Sequence, residues 1–249
     1  MCLEIWWRSG RTGKLRDARP KQAATSSTNH PAPVQMKAYF EGDIGRFYET
    51  PDGNFPSVTT VLKAASDNTF LAEWRARVGD AEADRISKES TDIGSYMHYL
   101  YECHYQKEDP RPATTPEEKT AKMMFRASVA GMDAKIAEMV AMEEAVWSKK
   151  FRVAGRFDML AVDHEDRLVL VDFKTTKKDK QRRDIENYRL QLAFYRVMVK
   201  ETLNLDVDYM MVYMVNREGF AKTFRFMPEE TERSELVAAR KAFFDTYSM

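Results

Sequence analysis

Val169-Leu170-Val171-Asp172-Phe173-Lys174-Thr175 is the stretch that decides the fold. Its apolar run reads as a strand covered on both faces, the setting of a central strand in an α/β sheet. Asp172 and Lys174 are two apart on that strand, so their side chains leave the same face. A carboxylate and an ammonium on a buried strand carry a desolvation cost and need a reason to be there.

Upstream, Gly155-Arg156-Phe157-Asp158 lies on an expected strand over 154–162, which a turn at Asp163-His164-Glu165-Asp166 joins to a strand over 167–175. Antiparallel pairing brings Asp158 beside Asp172. Facing carboxylates repel unless a cation separates them, and a hard divalent ion, Mg2+ or Mn2+, suits oxygen ligands. Lys174 then stands where it orients or deprotonates a water, or neutralises a phosphoryl oxygen. The plainer alternative is a salt bridge among three charged strand residues. Asp-x-Lys alone favours that alternative, and the upstream segment shifts the balance.

Two further signals lie on expected helices. Gln191 and Tyr195 share one face of a helix over 185–203; the alternative is a core tyrosine and an exposed glutamine. His98 sits on a long helix over 80–107, with Gly94 one turn before it and Glu102 one turn after. Neutral imidazole is a common metal ligand, and a packed or surface histidine is the alternative.

The rest of the chain supplies the frame. Residues 37–49 suggest a strand or hairpin, closed by a turn at Pro51-Asp52-Gly53-Asn54, and Ser57 and Thr59 sit where a helix begins. Helices are expected over 69–78 and from Thr115-Pro116-Glu117-Glu118 to about Met142. Strands follow over 144–152, 154–162 and 167–175, then the helix over 185–203, strands over 208–215 and 220–227, and a helix from Pro228. This order predicts an α/β fold with an N-terminal helical extension. Residues 1–35 hold six basic and two acidic residues in Ala-, Ser-, Thr- and Pro-rich sequence. They are expected to be a disordered extension, with Met36 as an alternative start. Residues 36–142 are expected to form a hairpin and helical region and 143–249 the core.

With 249 residues, 43% of them hydrophobic, and 39 basic against 39 acidic side chains, the chain is expected to be neither a membrane protein nor a coat that binds nucleic acid by bulk charge. Two cysteines make no disulfide framework. A cytoplasmic setting is expected rather than organellar import.

His98, then Gly155-x-x-Asp158, Asp172-x-Lys174 and Gln191-x-x-x-Tyr195, in that order, resembles the RecB-type exonuclease branch of the PD-(D/E)xK nuclease superfamily. Pro56-Ser57-Val58-Thr59-Thr60-Val61-Leu62 with Trp74-Arg75 is similar to phage exonucleases and to the mitochondrial genome-maintenance exonuclease. The resemblance implies a restriction-endonuclease-like core and a DNA exonuclease using Mg2+ or Mn2+ in phage recombination, replication or DNA processing. A restriction-like or structure-specific endonuclease and a decayed DNA-binding subunit are the alternatives. It further implies that His98, Asp158, Asp172 and the Phe173 carbonyl bind the metal, and that Lys174 is the catalytic lysine. Glu143 is a candidate further ligand, with Glu144 competing for that role. Gln191 and Tyr195 support the site, and Ser57, Thr59 and Thr60 contact phosphate. Arg156, Thr175, Lys177 and Lys178 are expected beside the DNA, and a recombination or single-strand-binding protein is an expected partner. Family members with an iron–sulfur cluster need four cysteines, so no cluster is expected here.

Overall fold

β8 (Leu168–Thr176) is the central strand, as its apolar run requires, and it lies in a five-stranded sheet of order β10-β9-β8-β7-β4. The computed structural model describes residues 35–66 and 69–248. The extension expected over 1–35 therefore lies, except for its last residue, outside the described residues. β7 (Met159–Asp163) pairs antiparallel with β8, while β9 (Tyr209–Asn216) pairs parallel with it. The mixed sheet follows from the connections. A short turn joins β7 to β8, whereas the parallel step from β8 to β9 needs a crossover. That crossover is the helix α5 (Glu186–Leu203). β10 (Ala221–Phe226) adds the far edge.

Residues alternate across β8. Val169, Val171 and Phe173 pack into a core with α3 (Asp80–Gln106) and α4 (Pro116–Asp133), while Leu170 packs into a second core with α5, α1 (Val58–Ala65) and α6 (Glu232–Tyr247). Asp172 and Lys174 share the parity of Leu170 and point to the α5 side. Burying one Phe of this kind contributes about 2–3 kcal/mol. The start of α4 follows its sequence signal. Thr115 Oγ1 accepts from the Glu118 amide at 3.2 Å, the Glu118 carboxylate accepts from the Thr115 amide at 3.2 Å, and Pro116 fills the first turn.

Two expectations require correction. The helix predicted to reach Met142 ends at Asp133, and Ile136–Met142 is a strand, β4, on β7. The register of β4 shifts twice, between Ile136 and Glu138 and between Met139 and Ala141. Bulges of this kind break the two-residue alternation that marks a strand. The second correction concerns 154–162, which is two strands. β6 (Val153–Arg156) pairs with β5 (Ala145–Ser148) in a separate ribbon, and β7 begins only at Met159. The break falls at Phe157-Asp158. A third sheet, β1 (Lys37–Glu41), β2 (Gly45–Thr50) and β3 (Gly53–Pro56), packs against β6.

Candidate active site

The site forms where β8 loses its neighbour. Pairing between β7 and β8 stops at Met159 and Val171, so residues 172–176 of β8 keep only β9 beside them. Into this fork come α3 from one face, α5 from the other, and the two loops that flank β5 and β6.

Asp158, at the fork, accepts from the Phe173 amide through Oδ2 at 2.7 Å. The antiparallel register was expected to set Asp158 beside the Asp172 side chain; Asp158 instead lies just before β7 and meets the β8 backbone one residue further on. Its other oxygen, Oδ1, lies 3.6 Å from His98 Nδ1, and Glu143 Oε1 lies 4.0 Å from the same nitrogen. His98, Glu143 and Asp158 thus offer one nitrogen and two carboxylate oxygens, all within 4.8 Å of one another. Glu143, not Glu144, is the acid in this group. It sits between β4 and β5 at φ 50°, a left-handed conformation that uncommonly falls on a residue other than glycine. Burial disfavours charge on His98, but Asp158 and the contact with Glu143 outweigh it and raise its pKa to about 9. The imidazole is therefore drawn into the cationic form by the two acids that face its Nδ1.

α3 secures the backbone of β8 at this point. His98 Nε2 lies 2.9 Å from the Phe173 carbonyl, and Tyr101, one turn along, stacks on the Phe173 ring at 4.2 Å and 5°. That carbonyl, expected as a metal ligand, here contacts the imidazole.

Asp172 is held apart from the three-residue group. Lys174 Nζ lies 2.6 Å from its Oδ1 and 2.5 Å from its Oδ2, and Gln191 Nε2 donates to Oδ1 at 3.1 Å. Oδ2 has no aligned hydrogen-bond donor among the described residues. Burial pushes the Asp172 carboxyl upward against the pull of Lys174. Burial also works against the Lys174 ammonium, and the nearby Asp172 and Asp158 hold its pKa up. Lys174 is thus a cation in this arrangement.

α5 brings Gln191 and Tyr195 to the same cleft, as their spacing predicted. Burial holds the Tyr195 phenol well above its usual range, so it remains a donor. Gly155 makes room for it. A Cβ there would lie 2.9 Å from the Tyr195 hydroxyl and 2.8 Å from its ring. Any side chain at 155 would displace the tyrosine.

The other expected residues divide. Arg156 and Thr59 line the cleft, Thr175 is half-buried close to Gly94, and Lys177 and Lys178 are exposed. Ser57 and Thr60 are buried. The Ser57 hydroxyl caps α1 by accepting from the Thr60 amide at 3.1 Å, and Thr60 Oγ1 bonds the Arg46 backbone. The cleft encloses about 600 Å3. Two groups of residues escaped sequence reading. Tyr188 places its ring 5.2 Å from Lys174 Nζ; it stands three residues before Gln191, a signal that was legible. Arg46 and Tyr48 of β2 line the cleft too, with no local signal, because a distant hairpin delivers them.

The sequence profile of the PD-(D/E)XK nuclease superfamily matches residues 65–245, which takes in His98, Asp158, Asp172, Lys174 and Gln191. The chain belongs to that superfamily. Its mixed sheet flanked by helices is the restriction-endonuclease-like fold, and the nuclease carries an acidic group suited to the divalent ions that such enzymes use. Among solved structures, the nuclease is similar to the protein SSO0001, at 11% identity and TM-score 0.33 over 62% of this chain and 74% of that one. It is also similar to a "putative exonuclease" from Eubacterium rectale, at 12% identity and TM-score 0.34 over 74% of this chain and 66% of that one. No curated protein matches it. Among the described residues, no helix is long and apolar enough to cross a membrane.

Proposed function

We propose that this nuclease is a metal-dependent DNA exonuclease that removes nucleotides from free ends. The observation that carries the chemistry is the convergence of His98, Glu143 and Asp158 beside the Asp172–Lys174 pair. One imidazole nitrogen and two carboxylate oxygens, with an excess of negative charge, fit Mg2+ or Mn2+. His98, Glu143 and Asp158 would hold the ion, while the Phe173 carbonyl meets the other ring nitrogen of His98 and Asp172 stays with Lys174. Bound there, the ion would polarise the scissile phosphate and lower the pKa of a water.

The chain's own groups do the rest. Asp172 holds the Lys174 ammonium between its oxygens, and Gln191 steadies that carboxylate. The ammonium faces the phosphate and stabilises charge that grows on its oxygens as water attacks phosphorus and the P–O bond breaks. A paired ammonium serves this purpose better than deprotonating water. Tyr195 remains protonated and can donate to the strand. Arg156, Thr59, Lys177 and Lys178 offer contacts along the backbone. The resemblance to phage exonucleases supports a role in recombination or replication, and a single-strand-binding or recombination protein as partner.

Purified protein with Mn2+ is expected to release nucleotides from linear DNA and to leave circular single-stranded DNA intact. Lys174→Ala is expected to lower the rate at least about 100-fold. Equal rates in the two proteins would remove the mechanism, and cleavage of the circle would make the enzyme an endonuclease.

A further inference from the structure

The hairpin of β1 and β2 presents one face to the cleft. Met36 and Ala38 line the cleft from the β1 side, and Arg46 and Tyr48 line it from β2. Phe40 has the parity of Met36 and Ala38 and pairs directly with Arg46 in the ladder, as Ala38 does with Tyr48. Alternate residues of a strand share a face. The face that begins at the catalytic cleft therefore ends, at the hairpin tip, in a phenyl ring beside a guanidinium.

Both groups lack the partners that would make them structural. Phe40 is 77% exposed, whereas its neighbour Tyr39 packs against Phe47. The Arg46 guanidinium forms no ion pair among the described residues; it lies 5.5 Å from the centroid of the Tyr48 ring and near the Tyr195 phenol across the cleft. Its backbone, by contrast, is pinned. The amide donates to Thr60 Oγ1 at 3.0 Å, and the carbonyl accepts from the Ser57 amide at 2.8 Å. Gly45 allows this close approach, since a Cβ there would lie 2.7 Å from Thr60 Oγ1. A cation on a pinned backbone, without an ion pair and beside an exposed ring, suits an anion attached to a flat group.

Resting on the nuclease reading, we propose that this hairpin face is a nucleotide subsite next to the reacting phosphate: Arg46 holds the phosphate and Phe40 stacks on its unpaired base. Arginine bonds phosphate in bidentate fashion, and an aromatic ring accepts any base, so the subsite grips a strand without reading its sequence. A stacked base cannot remain in a duplex, so the subsite takes an unpaired end.

The test uses the full chain with Mn2+ and a labelled single-stranded oligonucleotide. Arg46→Ala and Phe40→Ala are each expected to raise KM about tenfold, with kcat within about threefold. Phe40→Trp should keep the wild-type KM, and its fluorescence should be quenched by DNA. Oligonucleotides carrying one neutral methylphosphonate locate the phosphate. The wild type should lose affinity at one linkage, and Arg46→Ala should lose nothing further there. Wild-type cleavage with KM unchanged in both alanine variants, or equal sensitivity of Arg46→Ala to that linkage, overturns the subsite and leaves the nuclease standing. A wild type that cleaves no DNA overturns the nuclease reading, and the subsite with it.

Discussion

Asp163 and Asp158 stand at opposite ends of β7, and their surroundings differ in kind. Asp163 is fully served. Its Oδ1 accepts from the amides of Glu165 and Arg167 at 2.9 and 3.0 Å, and its Oδ2 from Arg167 Nε and the Tyr209 hydroxyl at 2.9 and 3.0 Å. Burial works to raise its pKa, but these donors outweigh it and hold the value at about 2. Asp158 accepts one amide and otherwise faces an imidazole, the Lys174 ammonium and further acids. At that end three carboxylates, of Glu143, Asp158 and Asp172, converge on one ammonium and one imidazole. A buried acid whose bonds are all made locally stabilises the fold. An acid left in negative surplus costs stability and marks a place where a cation is to bind.

The largest effect should come from the surplus end. Asp158→Ala is expected to abolish Mn2+ uptake in calorimetry and to lower the rate about 100-fold or more, with the melting temperature nearly unchanged because repulsion is relieved. Asp163→Ala should do the reverse. It strands two amides, an Arg167 guanidinium and the Tyr209 hydroxyl, at a cost of about 3 kcal/mol in urea unfolding, while activity per folded molecule holds. The sign of its pH dependence follows from a folded pKa depressed below the unfolded value of about 3.9. The advantage of wild type over Asp163→Ala is full above that value and is lost as pH falls through about 2. A gap that widened on acidification, or an inactive but stable Asp163→Ala protein, would break the contrast between the two ends.

How much of this was legible in the sequence varies by element. β8 and α5 declared themselves, because an apolar run and a helical stripe are local patterns. That Asp158 reaches the end of β8 was legible as well, since a short turn and antiparallel pairing of β7 with β8 bring it there, although it meets the Phe173 amide rather than the Asp172 carboxylate. β4 was not, because two bulges remove the alternation that a strand needs to be recognised. The break at Phe157-Asp158 was also hidden. Nothing local tells 154–162 to leave one sheet and join another. The contribution of Arg46 to the cleft depends on tertiary packing of β2 against Thr60. Glu143 and Glu144 could not be separated on sequence because turn geometry, with φ 50° at Glu143, decides which one faces His98.

Gly155→Ala sharpens the contrast by a smaller amount. The new methyl meets the Tyr195 ring at 2.8 Å, and overpacking of this kind costs about 1–3 kcal/mol. Because Tyr195 lines the cleft, the rate should fall along with stability, unlike Asp163→Ala. Thermal melting and initial rates on one preparation would separate the two cases. A variant with wild-type rate would show that Tyr195 need not hold its position.

Ser57→Ala should give the smallest effect and decides between two uses of a helix start. The resemblance assigns Ser57 to phosphate, whereas its hydroxyl is buried, caps the Thr60 amide, and lies 2.8 Å from Thr60 Oγ1 and 2.9 Å from Thr59 Oγ1. Loss of a cap costs about 1 kcal/mol. If capping is its whole role, the melting temperature drops and KM for DNA stays put. If the hydroxyl also meets phosphate, KM rises by more than the loss of folded protein explains. Thr59→Ala is the control, because Thr59 is the exposed hydroxyl of the three and the one that lines the cleft. A rise in KM for Thr59→Ala, with none for Ser57→Ala, would divide the motif into one residue that meets DNA and one that holds the helix in place.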